Sequence, residues 1–148
     1  MLEIYRPVVE DTAISFELAV PTVEDFASRI EKYLATHEWL VAEQDGEIAG
    51  YAYASPHRPR AAYRFSAEVS VYVHPQYQGK GVGMKLYAAL FDSIRKRGFH
   101  HAYAGITLPN DASVALHKAC GFSEIGTFSE VGFKYDCWHD VSWWQRKI

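Results

Sequence analysis

Gln78-Gly79-Lys80-Gly81-Val82-Gly83 is the stretch that decides how this chain is read. An alternating apolar run, Val69-Ser70-Val71-Tyr72-Val73, leads into it, and a helix-patterned segment, Met84 to Arg97, follows. A strand, a glycine-rich turn and a helix N-terminus together make a phosphate site. Glycines let the backbone approach a pyrophosphate, and the free N–H groups of the first helical turn point at it. Two familiar phosphate loops fail on spacing. A P-loop requires G-x-x-x-x-G-K-[ST], but Gly79-Lys80 is followed by Gly81 and the upstream glycine position holds His74. A dinucleotide fingerprint requires G-x-G-x-x-G, but Gly79, Gly81 and Gly83 run G-x-G-x-G. The pattern that fits is Q/R-x-x-G-x-G/A from Gln78. The bland alternative is a strand-to-helix turn that holds no ligand.

Outward from the loop, the apolar spacing sets the elements. Val82, Leu86, Leu90 and Ile94 recur every four residues, Arg95 to Arg97 favour a helix C-terminus, and Gly98 stops it. Ala102 to Ile106 reads as a buried strand. Asn110 or Asp111 caps a short helix through Ala119, ended by Gly121, and two strands follow, Glu124 to Val131 and Tyr135 to Trp144. Upstream, Leu2 to Val9 looks like the end of a helix. Thr22 caps another, with Phe26, Ile30 and Leu34 on one face. Trp39 to Ala42 and Ile48 to Ala54 are strands joined by an Asp45-Gly46 hairpin. Pro56 to Pro59 is a basic loop carrying His57 and Arg58, with Arg60 just after, and Glu68 opens a central strand to Val73. The order α-β-β-β-α-β-α-β-β predicts an α/β fold, a mixed central sheet with helices on both faces. α/β sheets bind ligands at the C-terminal ends of their strands, where this loop stands.

Composition narrows the function. At 148 residues the chain suits a single domain over residues 1–148. An apolar content of 49% argues against disorder, and a net charge of −3 gives no drive toward nucleic acid or anionic membrane. No apolar run is long enough to span a bilayer. Glu3 and Arg6 interrupt any signal-peptide pattern, and a cytoplasmic location is expected. No Cys/His cluster has metal spacing, so no metal is expected, and Cys120 and Cys137 are read as reduced core thiols.

Separated motifs point one way. Gly50-Tyr51-Ala52, Arg58-Pro59-Arg60, Ala62-Tyr63-Arg64 and Ser70 to Pro75 stand before the loop. Ala104-Gly105-Ile106, Asn110, Ser113, Leu116-His117, Gly121-Phe122, Glu130-Val131-Gly132, Lys134, Trp138 and Asp140-Val141 follow it. In order and spacing they resemble the phosphinothricin N-acetyltransferase subfamily of the GCN5-related N-acetyltransferases (GNAT), over nearly the whole chain. The resemblance implies the GNAT acyl-CoA N-acyltransferase fold. It implies acetyl-CoA as cosubstrate and a small amino-acid-like amine as acceptor, such as phosphinothricin or methionine sulfoximine. The alternatives are another amine (a polyamine or a protein N-terminus) and a non-catalytic acyl-CoA-binding module. Family members begin with a short strand before the first helix, whereas this chain starts inside that helix. The first family strand is therefore expected to be missing, leaving Trp39–Ala42 as a sheet edge.

The same resemblance assigns roles. Glu68 is the expected general base, against a bland reading as a solvated carboxylate or a partner of Arg64. A backbone N–H within Val71, Tyr72 and Val73 is expected to face the oxyanion, where the sheet splays beside Ala102–Ile106. His117 is either a general acid or only a cofactor contact. Gln78, Gly79, Lys80, Gly81, Val82 and Gly83 would hold the CoA pyrophosphate, with Asn110 and Ser113 along the pantetheine. Arg58, Arg60 and Tyr63, with Phe16, Tyr72 and Val131, would meet the amine substrate; guanidinium forks suit a carboxylate or phosphinate. The aromatic tail Trp138, Trp143 and Trp144 gives reason to expect a homodimer.

Overall fold

Asp45 and Gly46 stand at φ of 54° and 81°, the pair of positive values that a two-residue I′ turn requires. They join β1 (Trp39–Gln44) to β2 (Glu47–Pro56) as an antiparallel hairpin. This computed structural model describes residues 1–148. Around the hairpin lie α1 (Leu2–Asp11), α2 (Val23–Leu34), β3 (Ser66–Val73), α3 (Val82–Lys96), β4 (His101–Thr107), α4 (Asp111–Ala119), β5 (Ser123–Lys134) and β6 (Cys137–Lys147). The six strands form one sheet in the order β1-β2-β3-β4-β6-β5, with β1 at an edge. Every neighbouring pair is antiparallel except β3 and β4, which α3 connects as a crossover.

Alternation along β2 and β3 divides the sheet into two faces. Ala52, Ala54, Ala67 and Val69 join the larger core with Val82, Leu86, Leu90 and Ile94, so the fourfold stripe of α3 is its buried face. Leu90 and Ile94 are fully buried, and truncating such a side chain to alanine costs about 2–5 kcal/mol. On the other face Tyr51 and Trp39 pack with Ile4, Tyr5 and Val9 of α1 and Phe26 of α2. This smaller core is largely aromatic: Trp39 stacks on Tyr53 at 4.3 Å. Helices therefore cover both faces.

The parallel pair matters most. β3 and β4 pair at Ser66–His101, Ala67–Ala102 and Glu68–Tyr103, and no further. Beyond Glu68, β3 stays paired with β2 alone, and beyond Tyr103, β4 stays paired with β6 alone. The two central strands thus part at Glu68, opening an unpaired backbone edge along Val69–Val73.

Three expectations change. Cys120 is half-buried and Cys137 exposed, both free, because Cys137 opens β6 next to the turn after β5 rather than entering a core. Trp144 belongs to the larger core, and Trp143 lines a cavity, so of the aromatic tail only Trp138 is well exposed. Arg64 does not pair with Glu68; its guanidinium lies over the Phe65 ring at 4.4 Å.

Candidate active site

The glycine loop is shaped by backbone conformation. Gly79 and Gly81 stand at φ of 70° and 79°, where L side chains are rare, and a Cβ at either would meet nothing within 4 Å. The concave side is therefore open. Gly81 is the N-cap of α3 without a side-chain cap, and the first bond that enters the helix is Lys85 N–H to Gly81 O at 3.1 Å. The N–H groups of Val82, Gly83 and Met84 precede that ladder and are available to an anion. Gln78 Nε2 donates to Val73 O at 3.2 Å and ties the loop to the end of β3. Lys80 folds back over the Tyr77 ring at 5.5 Å. Residues 78–83 thus fit a pyrophosphate: open glycine backbone, a helix N-terminus and one cation, Lys80.

Asn110 caps α4, its Oδ1 accepting from Ser113 N–H at 3.1 Å. His117 sits one turn on, buried between α3 and α4. Its Nδ1 donates to Ser113 O at 2.8 Å, which fixes the tautomer and leaves Nε2 to accept from Tyr87 Oη at 3.0 Å. Burial pushes the imidazole pKa down. A neutral ring with both nitrogens engaged has no proton aimed at a leaving group. This geometry suits a residue that braces α4 against α3.

Glu68 lies on the opposite face, at the point where β3 and β4 part. A cavity of about 490 Å³ adjoins it, walled by Phe16, Val131, Tyr53, Ser70, Thr107 and Trp143 among others. Burial raises the Glu68 carboxyl pKa, opposed by His57 and then Arg58. His57 Nδ1 is 3.1 Å from Glu68 Oε1, and Arg58 Nη1 is 3.6 Å from the same oxygen. His57 is the residue that sequence reasoning passed over. The register that brings it there belongs to the fold: Pro56 faces Ala67, and His57 is the next residue along the chain.

Beyond His57 a second cavity, about 660 Å³, is lined by Arg58, Arg60, Arg64, Lys32 and Tyr63, with no carboxylate on its wall. Arg58, Arg60 and Tyr63 therefore stand together, one histidine away from Glu68. Tyr72 does not line either cavity. It packs in the aromatic core, 5.1 Å from Tyr5 and 5.3 Å from Tyr51, because the rise of β3 carries it away from Glu68.

Phe16 and Val131 come from segments far apart in sequence, and two contacts hold them in place. The Lys134 ammonium is buried and donates to Val9 O, Thr12 O and Ser15 O at 2.7, 2.9 and 2.8 Å. It anchors the segment after α1 to the β5–β6 hairpin. Gly132 lies directly under the Phe16 ring, where any Cβ would collide with it.

The comparisons agree with this geometry. Residues 6–122 match the acetyltransferase (GNAT) family. A phosphinothricin N-acetyltransferase of Streptomyces viridochromogenes is 39% identical over 144 residues, covering 97% of this chain and 79% of that protein. An L-methionine sulfoximine/L-methionine sulfone acetyltransferase of Salmonella typhimurium is 37% identical over 147 residues, covering 99% and 86%. The crystal structure of a phosphinothricin acetyltransferase from Sinorhizobium meliloti in complex with acetyl-CoA superposes with a TM-score of 0.95. It is 36% identical and covers 99% of this chain and 80% of that one. With a splayed parallel pair and a glycine loop fit for a pyrophosphate, the chain belongs to the GNAT family and is an acetyl-CoA-dependent N-acetyltransferase.

Proposed function

We propose that the enzyme acetylates the α-amino group of a small amino-acid-like substrate, with Glu68 as general base. The observation that carries this reading is the position of Glu68, on a cavity wall at the point where the central strands part. An amine is protonated near neutral pH and must lose a proton before it can attack. A carboxylate whose proton affinity is raised by burial is suited to take it. Residues 78–83 would hold the pyrophosphate of acetyl-CoA, which supplies the acyl group. The unpaired edge of β3 offers backbone N–H donors to a carbonyl oxygen. The cation-lined second cavity favours an anionic acceptor: Arg58, Arg60 and Arg64 suit a carboxylate or phosphinate and oppose a polyamine. The substrates named for the two relatives, phosphinothricin and methionine sulfoximine, are of this class. We also propose a homodimer, supported by the exposed apolar residues Ile125, Phe128, Phe133 and Trp138 on the β5–β6 hairpin.

The test is CoA release with phosphinothricin, methionine sulfoximine, methionine sulfone, ordinary amino acids and spermidine. The amino acids, each carrying an α-carboxylate, should turn over and spermidine should not; the reverse preference sinks the substrate class. In the same assay Glu68→Gln should lower kcat by about 10²–10⁴-fold with acetyl-CoA affinity intact. The acid limb of kcat/KM should lie above the ordinary carboxylate range, because the base must be ionised and its pKa is raised. A carboxyl with a raised folded pKa contributes stability below its unfolded value and loses it as pH rises through the folded one. Glu68→Gln should therefore melt no lower than wild type at neutral pH. Wild-type turnover across pH would remove Glu68 as the base.

A further inference from the structure

We propose that His57 is the positioning residue of this base: its Nδ1–H holds Glu68 Oε1, fixes the carboxylate rotamer and leaves Oε2 as the oxygen presented to the amine. The inference rests on the reading of Glu68 as base.

Three observations carry it. First, both groups that reach Glu68 converge on one oxygen. His57 Nδ1 lies 3.1 Å and Arg58 Nη1 3.6 Å from Oε1, while Oε2 has no partner in the protein. Second, the imidazole is clamped. It stacks on Tyr103 of β4 at 4.4 Å and 16°, with Tyr63 and Trp143 edge-on at 5.9 and 6.3 Å. A ring held on one face and two edges loses little further entropy in holding a carboxylate. Third, the two residues divide the space. Glu68 lines the first cavity and not the second; His57 lines the second and not the first. The side chain of His57 is 14% exposed, and Nε2 makes no hydrogen bond within the protein. The sealed and unpaired side-chain atoms are Tyr51 Oη and Trp143 Nε1, so Nε2 is reached by solvent. The tautomer is then decided at Nδ1, which must carry the proton to donate to an ionised carboxylate.

The charged and titratable groups around this imidazole are Glu68 of β3, Tyr103 of β4, Arg58 beside it and Tyr63 just after. Lys32, Tyr33 and His37, at and just after the end of α2, and Arg60 and Arg64 after β2 line the second cavity with it. Glu68 is the single anion among them. A donor to the ionised form of Glu68 favours that form. Removing His57 therefore raises the proton affinity of the carboxyl as well as freeing its rotamer.

The experiment uses the full chain without acetyl-CoA: ¹³C-carboxyl NMR titration of Glu68 in wild type, His57→Ala and His57→Asn, with Glu68→Gln to assign the signal. In His57→Ala the midpoint should move to higher pH; in His57→Asn, whose amide keeps the hydrogen bond but not the imidazolium charge, it should move the same way by less. With acetyl-CoA and amine, His57→Ala should lower kcat/KM about tenfold, the scale of a hydrogen bond to a charged group. The acid limb should shift in the same direction as the NMR midpoint. His57→Asn should restore most of the rate, and acetyl-CoA affinity should not change in either. The proposal is overturned if both variants titrate and turn over like wild type, or if His57→Asn falls as far as His57→Ala. Loss of rate in Glu68→Gln alone would leave the base standing without its positioning residue. A fully active Glu68→Gln would remove the base itself.

Discussion

The two faces of the sheet are built in opposite ways. The face proposed for the cofactor is local: strand, turn and helix follow one another from Val69 to Lys96, and the open loop lies between them. The face proposed for the amine is assembled from afar. Phe16 comes from the segment after α1, His57 from the end of β2, Glu68 from β3, Tyr103 from β4 and Val131 from β5. A local site tolerates change elsewhere and fails when its own backbone is changed. An assembled site depends on contacts that never touch the substrate, such as Lys134 on the carbonyls of Val9, Thr12 and Ser15.

The sharpest way to break the comparison is Gly81→Glu. The left-handed backbone at φ 79° strains any L side chain by about 1–2 kcal/mol, and the new carboxylate repels a pyrophosphate. Calorimetry should show acetyl-CoA affinity reduced at least 100-fold, while Gly81→Ala, which keeps the strain without the charge, loses less. Normal affinity in Gly81→Glu would refute the loop assignment. A smaller effect is expected on the other face. Gly132→Val drives a side chain into the Phe16 ring, which is well exposed and must swing away from its place on the first cavity wall. The KM for the amine should rise with the acetyl-CoA Kd unchanged. Equal loss at both substrates would show that the faces are not independent. The smallest catalytic effect belongs to the outer surface. Phe128→Ser with Phe133→Ser should lower the mass in sedimentation equilibrium from two chains to one. A single-chain mass already in wild type would discard the dimer.

His117 shows what spacing leaves open. Its place before Gly121-Phe122 allows an acid or a cofactor contact, and folding engages both ring nitrogens, one on Ser113 O and one on Tyr87 Oη. Spacing locates a residue on a helix; it does not show which way the turn beneath it faces. Tyr72 carries the same lesson. It shares a strand face with Glu68, but the α1–α2 side of the sheet is filled by aromatics at that height.

The sequence by itself determined the elements and the glycine turn between β3 and α3, because strand alternation, the fourfold stripe of α3 and the glycine spacing are all short-range patterns. The caps at Thr22 and Asn110, and the turn at Asp45-Gly46, followed from the same local rules. Tertiary structure alone decided where β3 and β4 part, which carboxylate oxygen is held and which is free, and that His57 stands between two cavities. Those are properties of strand register and packing between segments as distant as Phe16 and Gly132, and no local pattern encodes them.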